Sequence, residues 1–542
     1  MNIRNEVCSI NQIRKGIAMR IGIIELIMDA VSRNWVNSLY AAYFRRQFYG
    51  IVPQAVSVWC RELGHQVFYT TYYGQKDPKS LLPNDLDVVF ISAFTQASAL
   101  AYALAKLYRR EKTLAVIGGP HAKSFPEDCL RFFDIVVKEC DKDLIDKILR
   151  KEFDPPAIVS TDQPLTDLPT VEERMPEIEK AAFSGGRPTL TSFVPILASV
   201  GCPYRCDFCM DWNNKYISLP TERLEADLQF LSRNLPDTLI FYHDPNFAVR
   251  FDDVMDVFEK IPENRRNRYL METSLSNLKP SRLHRLRSTK CIFVAPGIES
   301  WMNYSNKAGV SGKTGREKLE KVIGHLELIR QYVPDLQANF IFGTDADNGK
   351  APVELTKEFI RRLPYVWPTM NIPVPFAGTP FFDRLYSENR IIKALPLSFY
   401  YRPYLVMKLK NYSAVEFYEH LMDLYALITS TGMMGKRIFA RSASEVKVIY
   451  TVRAFHLRQE LAQFRRIRDM LVKEGEMRAF HEGRSNQLPE FYHQCFEKRL
   501  GRFAGLISRS DRIPVLTTEP EHNGSTVSLA GDELKEGETC EV

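Results

Sequence analysis

Three cysteines lie within eight residues of one another. The segment 201–209 reads Gly-Cys-Pro-Tyr-Arg-Cys-Asp-Phe-Cys, so Cys202, Cys206 and Cys209 have C-x3-C-x2-C spacing. Thiolate sulfur prefers zinc or iron–sulfur clusters over hard cations. A structural zinc site uses four ligands, and a cubane held fully by protein uses four cysteines. A local set of three therefore predicts a cluster with one open iron, where a small molecule can bind and react.

Two other interpretations of these cysteines stay open at this point. A distant His or Cys could complete a structural zinc site, or the three could be unrelated buried thiols. The other cysteines occur singly, so the sequence predicts no auxiliary cluster. They are Cys8, Cys60, Cys129, Cys140, Cys291, Cys495 and Cys540.

The cysteine segment follows a predicted strand, Val194 to Ser199, which begins a repeated alternation of strands and helices. The further strand candidates are 238–242, 269–274, 291–298, 337–342 and 369–374, and helical patterns include 221–234 and 315–333. This series predicts a partial (β/α)6 TIM-type barrel within residues 191–400. Catalytic groups of such barrels collect at the carboxyl ends of the strands, which is where the cysteines would lie.

An earlier alternation of strands and helices occupies residues 19–150. Strands are predicted at 19–26, 65–69, 87–92, 114–119 and 134–137, and helices at 53–64 and 98–109. Continuous apolar strands alternating with helices predict a doubly wound, Rossmann-like parallel sheet. The strand at 134–137 is predicted to be its last. Residues 151–190 are rich in proline and read as a linker.

Both ends of the chain differ in composition from the middle. Residues 1–18 are predicted to be a loose leader. Residues 401–515 are predicted to be helical, and 436–515 hold 17 Lys and Arg against 9 Asp and Glu, which is typical of a solvated helical face. Residues 516–542 hold one Lys and seven Asp and Glu, which predicts a disordered acidic tail.

The composition of all 542 residues is that of a folded protein, with 45% hydrophobic and 25% charged residues. Net charge is 72 − 66 = +6, too small a bias to predict nucleic acid as a partner. No stretch reaches the roughly 18 apolar residues of a membrane span. With no signal-peptide pattern and few cysteines, a cytoplasmic location is expected.

The cysteine segment and four later motifs resemble the radical S-adenosylmethionine (SAM) superfamily. The C-x3-C-x2-C signature has an aromatic residue, Phe208, before its third cysteine. The later motifs follow in the order and spacing of that superfamily across about residues 190–390. They are Phe241 to Phe247 (similar to D-x-N-F), Gly297 to Ser300 (G-I-E-S), Phe340 to Gly343, and Pro373 to Pro380, where Phe376 and Ala377 interrupt P-x-P-G-T-P.

The resemblance implies roles for matching residues. The three cysteines would bind a four-iron four-sulfur cluster, whose open iron would chelate SAM and cleave it reductively to a 5′-deoxyadenosyl radical. Phe208 would lie beside the adenine, and Glu299, Ser300 and Ser274 would hold polar groups of SAM. Asp244 and Asn246 belong to the D-x-N-F element. A buried salt bridge is the alternative for Glu299, and turn capping is the alternative for Asp244 and Asn246.

The amino-terminal region resembles the cobalamin-binding domain that precedes the barrel in many radical SAM enzymes. Gly118 and Gly119 follow a buried strand and would permit close backbone approach to a bulky ligand, with His121 as a further contact. Two features depart from that pattern: there is no D-x-H-x-x-G sequence, and Lys138 to Asp141 replaces an acidic G-E-x-E turn. A loop histidine without a cofactor role is the alternative for His121.

Three functional hypotheses result. The first is a cobalamin-dependent radical SAM methyltransferase that acts on a small-molecule or lipid-like metabolite. The second is a radical SAM cyclase, oxidase or rearrangement enzyme whose first domain does not bind cobalamin. The third is a non-catalytic, metal-stabilised binding protein. Both enzyme hypotheses imply an electron donor such as flavodoxin or ferredoxin.

Overall fold

The computed structural model describes residues 18–27, 41–42, 47–165, 167–305, 307–310, 312–440, 442 and 444–517. Nearly all of the predicted leader and most of the predicted acidic tail lie outside these residues. The described chain is an α/β protein with two parallel sheets and a helical carboxy-terminal region. The predicted fold class is confirmed. Among the described helices, none is long and apolar enough to cross a membrane.

The first sheet has six parallel strands within the described residues. They are β1 (Arg20–Leu26), β2 (Gln66–Tyr72), β3 (Val88–Ser92), β4 (Leu114–Gly118), β5 (Ile135–Val137) and β6 (Ala157–Val159), in the order β2-β1-β3-β4-β5-β6. The prediction that the strand at 134–137 is the last is wrong. Strand β6 pairs with β5 from inside the predicted linker. It has only three residues after two prolines, too few to show a strand pattern.

Helices cover both faces of this sheet. They are α1 (Ile51–Glu62), α2 (Ser98–Arg109), α3 (Pro120–Ser124), α4 (Pro126–Leu130), α5 (Lys142–Leu149) and α6 (Met175–Ala182). Helix α6 also lies in the predicted linker. There Glu177, in α6, accepts a hydrogen bond from Ser57 of α1 at 2.6 Å. The proline-rich segment is therefore packed onto the first domain.

The second sheet consists, in the described chain, of six parallel strands in sequential order. They are β7 (Phe193–Ile196), β10 (Leu239–Tyr242), β11 (Tyr269–Ser274), β12 (Cys291–Glu299), β13 (Asp335–Ile341) and β14 (Val366–Asn371). Between β7 and β10, the short strands β8 (Ser199–Val200) and β9 (Ile217–Ser218) pair antiparallel. Strands β7 and β14 are the two edges, so the sheet is an open, partial barrel.

Alternate residues of these strands belong to two separate apolar clusters. Val194, Ile240 and Val294 belong to the large core. Phe193, Leu239, Leu270 and Ile292, with Phe241 and Phe293, form a small cluster of their own. Because strand side chains alternate between faces, this small cluster marks the lumen face of the sheet. The helices of this part are α7 (Thr221–Asn234), α8 (Phe251–Glu259), α9 (Leu283–Ser288), α10 (Gly315–Arg330), α11 (Ala351–Arg362) and α12 (Pro380–Ser387).

The carboxy-terminal region is helical, as its pattern predicts. Its helices are α13 (Ala414–Ile428), α14 (Thr431–Ile438), α15 (Ser444–Lys473), α16 (Gly475–His481) and α17 (Glu490–Leu500). Short 3-10 turns occur at Pro78–Ser80, Thr95–Ala97, Glu263–Arg265, Leu275–Asn277, Pro280–Arg282, Leu397–Phe399, Gly501–Leu506 and Ser510–Arg512. The Tyr450 ring of α15 stacks on Trp367 of β14 at 4.9 Å between centroids. Helix α15 thus packs against the edge strand of the open barrel.

The last described residues return to the first domain. Asp511 pairs with Lys106 of α2 at 2.5 Å, and the amide of Val515 donates to Asp128 of α4 at 2.8 Å. Thr517 donates to Glu127 at 3.1 Å, so the first two residues of the predicted tail are ordered against α4.

Candidate active site

The cysteine segment forms a closed loop beyond the carboxyl end of β7. Pairing of β8 with β9 brings residue 200 back to residue 217. Gly201 stands at the neck of the loop with a φ of +68°, and a Cβ there would lie 2.2 Å from the carbonyl oxygen of Lys215. Only glycine fits this position. The amide of Cys202 then donates to Asn214 at 3.3 Å, so the loop is tied together where its first cysteine begins.

The loop brings the three cysteines into one neighbourhood. Cys202 is buried, and Cys206 and Cys209 are half-buried. Burial raises the pKa of the Cys206 and Cys209 thiols, and each thiol lies within electrostatic reach of the preceding cysteine. In the described chain, no three His, Cys, Asp or Glu side chains converge closely enough for a single metal ion. A cubane is larger than one ion, and three soft donors facing one region suit it.

Lys307 is a cation beside this trio that sequence reasoning missed. Burial alone would lower its pKa, but Glu299 and the three thiols raise it above its usual range. Its amide donates to the Ser305 hydroxyl at 3.3 Å, and that hydroxyl lies 3.8 Å from the Cys206 sulfur. A positive charge here would offset the negative charge of thiolate ligands.

Glu299 points toward the same region because of an irregular strand end. The pairing of β12 with β13 shifts between Gly297 and Glu299, and Glu299 has a φ of +64°. A Cβ on Gly297 would lie 2.4 Å from the Glu299 carboxylate, so the glycine makes room for the folded-back side chain. Burial raises the pKa of Glu299, while Lys307 and Lys318 oppose that rise. The carboxylate is therefore within electrostatic reach of two lysines.

The Ser300 hydroxyl, by contrast, already makes its hydrogen bonds within the protein. Its hydroxyl donates to Asp347 at 2.6 Å and accepts from the amide of Met302 at 3.0 Å. Asp347 also accepts from the amide of Gly343, the last residue of the predicted fifth-strand motif, and from that of Thr344. The hydrogen bonds of Ser300 thus join two loops at the barrel rim.

Asp244 braces the start of the cysteine loop. Its carboxylate accepts from the amide of Ala198 at 3.0 Å and from the hydroxyl of Ser199 at 2.6 Å. Asp244 is buried, which raises its pKa to about 6. This geometry matches the alternative of turn capping. The residues that Asp244 caps, Ala198 and Ser199, lie at the end of a neighbouring strand rather than in its own turn.

Asn246 and Ser274 join the ends of two neighbouring strands. The Asn246 Oδ1 accepts from the amide of Ser274 at 2.7 Å, while the Nδ2 of this buried side chain has no hydrogen-bond partner among the residues that the structure describes. The Ser276 hydroxyl donates to that of Ser274 at 3.0 Å and also contacts Tyr204 of the cysteine loop. A buried amide without a partner is costly to leave unsatisfied and suits a polar ligand.

Phe208 stacks on Tyr304, with the ring centroids 5.2 Å apart and the planes 11° apart. Tyr304 of this pair borders a cavity of about 620 Å³ beside Cys206. Its walls also include Arg205, Asp207, Asp345, Arg384, Glu388 and Lys410. A flat aromatic pair next to this polar cavity is a suitable surface for a heteroaromatic ring such as adenine.

The motif after β14 holds the other side of the cysteine loop. The Trp212 indole donates to the carbonyl of Gly378 at 2.7 Å, and the amide of Phe381 donates to the carbonyl of Asp207 at 3.0 Å. Arg384 of α12 pairs with the Asp207 carboxylate at 3.0 Å. The insertion of Phe376 and Ala377 therefore leaves the contact between this motif and the loop intact.

The three residues predicted as ligand contacts in the first domain have different surroundings. A Cβ on Gly118 would have only the carbonyl of Val137 nearby, at 3.9 Å. Gly119 has a φ of +91° and packs against Ala93, whose carbonyl would lie 3.1 Å from an added Cβ. His121 is fully buried, 2.6 Å from the Tyr102 hydroxyl, and burial lowers its pKa to about 3. Gly118 alone borders open space.

The carboxyl edge of the first sheet faces the cysteine loop. Lys123 of α3 donates to the side chain of Asn214 at 3.2 Å, and the Ser124 hydroxyl contacts the Met210 sulfur at 3.1 Å. Met210 directly follows Cys209 in the sequence. The carboxyl edges of the two sheets, where such folds bind ligands, therefore face each other.

Comparison with known proteins relates the chain to one family and to two named methyltransferases. Residues 196–358 match the family model described as the radical SAM superfamily. The chain is 24% identical over 407 residues to bacteriochlorophyllide d C-8(2)-methyltransferase of Chlorobaculum tepidum, covering 70% of this chain and 86% of that protein. It is 23% identical over 343 residues to the C-12(1)-methyltransferase of the same organism, covering 60% and 72%.

Two solved structures share the fold. One is the cobalamin-dependent SAM radical enzyme OxsB with aqua-cobalamin bound, at a TM-score of 0.57 and 14% identity, covering 93% of this chain and 82% of that one. The other is the radical SAM methyltransferase TsrM from Kitasatospora setae with tryptophan and a SAM analogue bound. Its TM-score is 0.54 at 13% identity, with coverage of 83% and 99%.

Proposed function

We propose, from the premise that residues 196–358 form a radical SAM domain, that this chain is a cobalamin-dependent radical SAM methyltransferase with a small-molecule substrate. The relatives named as methyltransferases and the cobalamin-bound structural neighbour support this choice. The observation that carries the proposal is the contact of the first sheet's carboxyl edge with the cysteine loop, at Asn214 and Met210. A corrinoid at that edge would lie next to the cluster.

In this proposal, Cys202, Cys206 and Cys209 hold the cluster, and Lys307 balances part of its charge. Glu299 and the free amide of Asn246 face polar groups of SAM, with the Phe208–Tyr304 pair beside its adenine. Asp244, Ser274 and Ser300 position the loops that carry these groups. When bound, the cluster and cobalamin supply the electron for SAM cleavage and the methyl group for transfer. The protein orients these partners and excludes side reactions.

In the first domain we propose a backbone site for cobalamin. Gly118 offers open space at the end of β4, whereas Gly119 and His121 are packed by neighbouring residues and act as support. Hence we do not assign His121 as a ligand of cobalt. We also propose a flavodoxin- or ferredoxin-type electron donor and a cytoplasmic location, because an open iron vertex requires reducing surroundings.

The experiment is anaerobic reconstitution of the full chain with iron, sulfide and hydroxocobalamin, followed by removal of unbound corrinoid. Retained iron and corrinoid, with release of 5′-deoxyadenosine from SAM after reduction, are expected. Retained iron and SAM cleavage without any retained corrinoid would favour the cyclase, oxidase or rearrangement hypothesis. A colourless zinc-loaded protein that cleaves no SAM would favour the non-catalytic binding protein.

A further inference from the structure

The lumen of the barrel carries a polar layer above its apolar floor. The floor is the cluster of Phe193, Leu239, Leu270 and Ile292, near the amino ends of the strands. Glu272 lies two residues beyond Leu270, on the same face of β11. Its side chain is exposed, although its neighbours along the strand are buried. The lumen around Glu272 is therefore hollow at this level.

Strand β13, two strands from β11 in the sheet, also presents polar side chains to the lumen. Leu336, Ala338 and Phe340 of β13 belong to the outer core, so Gln337 and Asn339 face the lumen. The side-chain amide of Gln337 donates to the side-chain carbonyl of Asn339 at 2.7 Å. Strand register places Thr369 of β14 beside Asn339.

Arg453 reaches this layer from outside the barrel. It lies on α15, and its guanidinium donates to the Gln337 side-chain carbonyl at 2.6 Å and approaches the Thr369 hydroxyl at 3.5 Å. The Trp367 ring lies beneath it, 5.1 Å from the guanidinium carbon to the ring centroid. The carboxy-terminal helix thus inserts a cation through the open side of the barrel, where β14 is an edge strand.

Two cations act electrostatically on the Glu272 carboxylate. The surrounding barrel desolvates the Glu272 carboxylate and raises its pKa, although the side chain itself borders open space, while Lys307 and Arg453 both act to lower that pKa. Lys307 also reaches the cysteine trio. Lys307 therefore interacts electrostatically with both Glu272 and the cysteine trio.

We propose that Arg453 is the anion-binding residue for the substrate, and that the substrate carries a carboxylate next to an apolar body. A planar guanidinium fork matches a carboxylate, and its hydrogen bonds to Gln337 and Thr369 hold the fork in place. The apolar floor takes the adjoining part of the substrate. This leaves the reacting carbon to point up toward the cysteine loop. The inference rests on the proposed function and specifies its substrate class.

The test uses two fluorescent probes, 1-pyrenebutyrate and 1-pyrenebutanol, which share an aromatic body and differ in the carboxylate. Dissociation constants are measured by fluorescence with the full-length reconstituted protein. The wild type is expected to bind the butyrate roughly tenfold more tightly than the butanol, as a charge-assisted hydrogen bond would give. In R453Q that preference should disappear while butanol binding stays the same.

Two further variants keep the test independent of folding. R453K retains the charge but loses the planar fork, so an intermediate preference is expected. R465Q changes an exposed arginine of the same helix and should keep the wild-type preference. The proposal is overturned if the wild type shows no preference or no saturable binding of the butyrate. It is also overturned if R453Q keeps the preference or weakens both probes equally.

Failure of this inference can be told from failure of the proposed function. Release of 5′-deoxyadenosine by the reduced wild type is measured in the same preparation. Active wild type without carboxylate preference rejects only the role of Arg453. Inactive wild type rejects the radical SAM proposal, whatever the probes show.

Discussion

At the carboxyl end of the first sheet, polar side chains bond to one another. Tyr102 lies 2.6 Å from both His121 and Asp128, and all three are buried. At the carboxyl end of the barrel, polar groups instead face shared space. Glu299 is within electrostatic reach of two lysines, and the Nδ2 of Asn246 has no hydrogen-bond partner in the described structure. The His121 ring is fully enclosed, although its Nδ1 has no hydrogen-bond partner among the described residues, whereas the barrel groups lie beside the cysteine loop and keep capacity for a ligand.

This difference assigns different tasks to the two domains. The first domain can offer a large ligand mainly backbone and shape, at Gly118 and along its contact with the cysteine loop. The barrel can offer soft ligands, charges and hydrogen-bond donors. Side-chain changes in the first domain should therefore alter folding or corrinoid retention, and changes in the barrel should alter SAM chemistry.

The largest expected effect is that of C202A in the barrel. Removal of one of three sulfur ligands should reduce bound iron sharply and bring 5′-deoxyadenosine release to background, with the fold largely intact. Iron and sulfide analysis, circular dichroism and product quantification check this. The control C495A changes a cysteine of α17, outside the trio, and should retain iron. Unchanged turnover in C202A would contradict the cluster assignment.

The next effect in size comes from G201A at the neck of the cysteine loop. The new Cβ would overlap the carbonyl oxygen of Lys215, so the loop must open at a cost of about 3 kcal/mol or more. Lower iron content and a lower melting temperature are expected. G185A is the matched control, since Gly185 has a φ of +59° with nothing within 4 Å of an added Cβ. It should cost only about 1 kcal/mol. Equal losses in both variants would argue against close packing at Gly201.

A third prediction concerns the first domain and depends on pH. Glu25 lies near the carboxyl end of β1. Its carboxylate accepts hydrogen bonds from the Tyr69 hydroxyl at 2.7 Å and from the amide of Gly50. Burial raises its pKa from 4.5 to about 7. Because the folded state binds this proton more tightly than the unfolded state, stability falls as pH rises from 4.5 to about 7. The loss is about 3 kcal/mol and is complete above that range.

The variant E25Q cannot ionise, so it should lack this loss. Its urea midpoint should exceed that of the wild type at pH 8, and the difference should shrink toward pH 5. The exposed substitution E152Q should follow the wild type at both values. Identical pH dependence of E25Q and wild type would show that Glu25 is not buried as an isolated carboxyl.

Much of the fold could be predicted from sequence periodicity. The helices at Ser98–Arg109 and Thr221–Asn234 and the strand at Tyr269–Ser274 have the predicted bounds. Long apolar or amphipathic runs specify such elements because burial of one face outweighs other local preferences. Strand β6 could not be predicted from its own three residues. It is stabilised by hydrogen bonds to β5, and the residues of β5 lie about twenty positions earlier in the sequence.

The site was predictable only where chemistry depends on local spacing. The cysteines and Glu299 belong to short motifs. Lys307 and Arg453 do not, since each reaches the site from a loop or helix whose position is set by the tertiary fold. His121 shows the opposite case: its sequence position follows a strand end and predicts a ligand contact, but its burial against Tyr102 keeps it inside the domain.

The smallest effect on folding is expected for G118V, and it tests the first domain most directly. Gly118 is the last residue of β4, its added Cβ would have only one neighbour at 3.9 Å, and valine suits a strand. Stability should change by no more than about 1 kcal/mol. If a corrinoid lies against this backbone, the added methyl groups would hold it off. Retained corrinoid after gel filtration should then fall while 5′-deoxyadenosine release continues.

G119V is the contrasting variant, because Gly119 packs against Ala93 with a φ of +91° and its replacement should lower stability first. Full corrinoid retention in G118V would place the cofactor elsewhere, and the two sheet ends would then differ in packing without a difference in task.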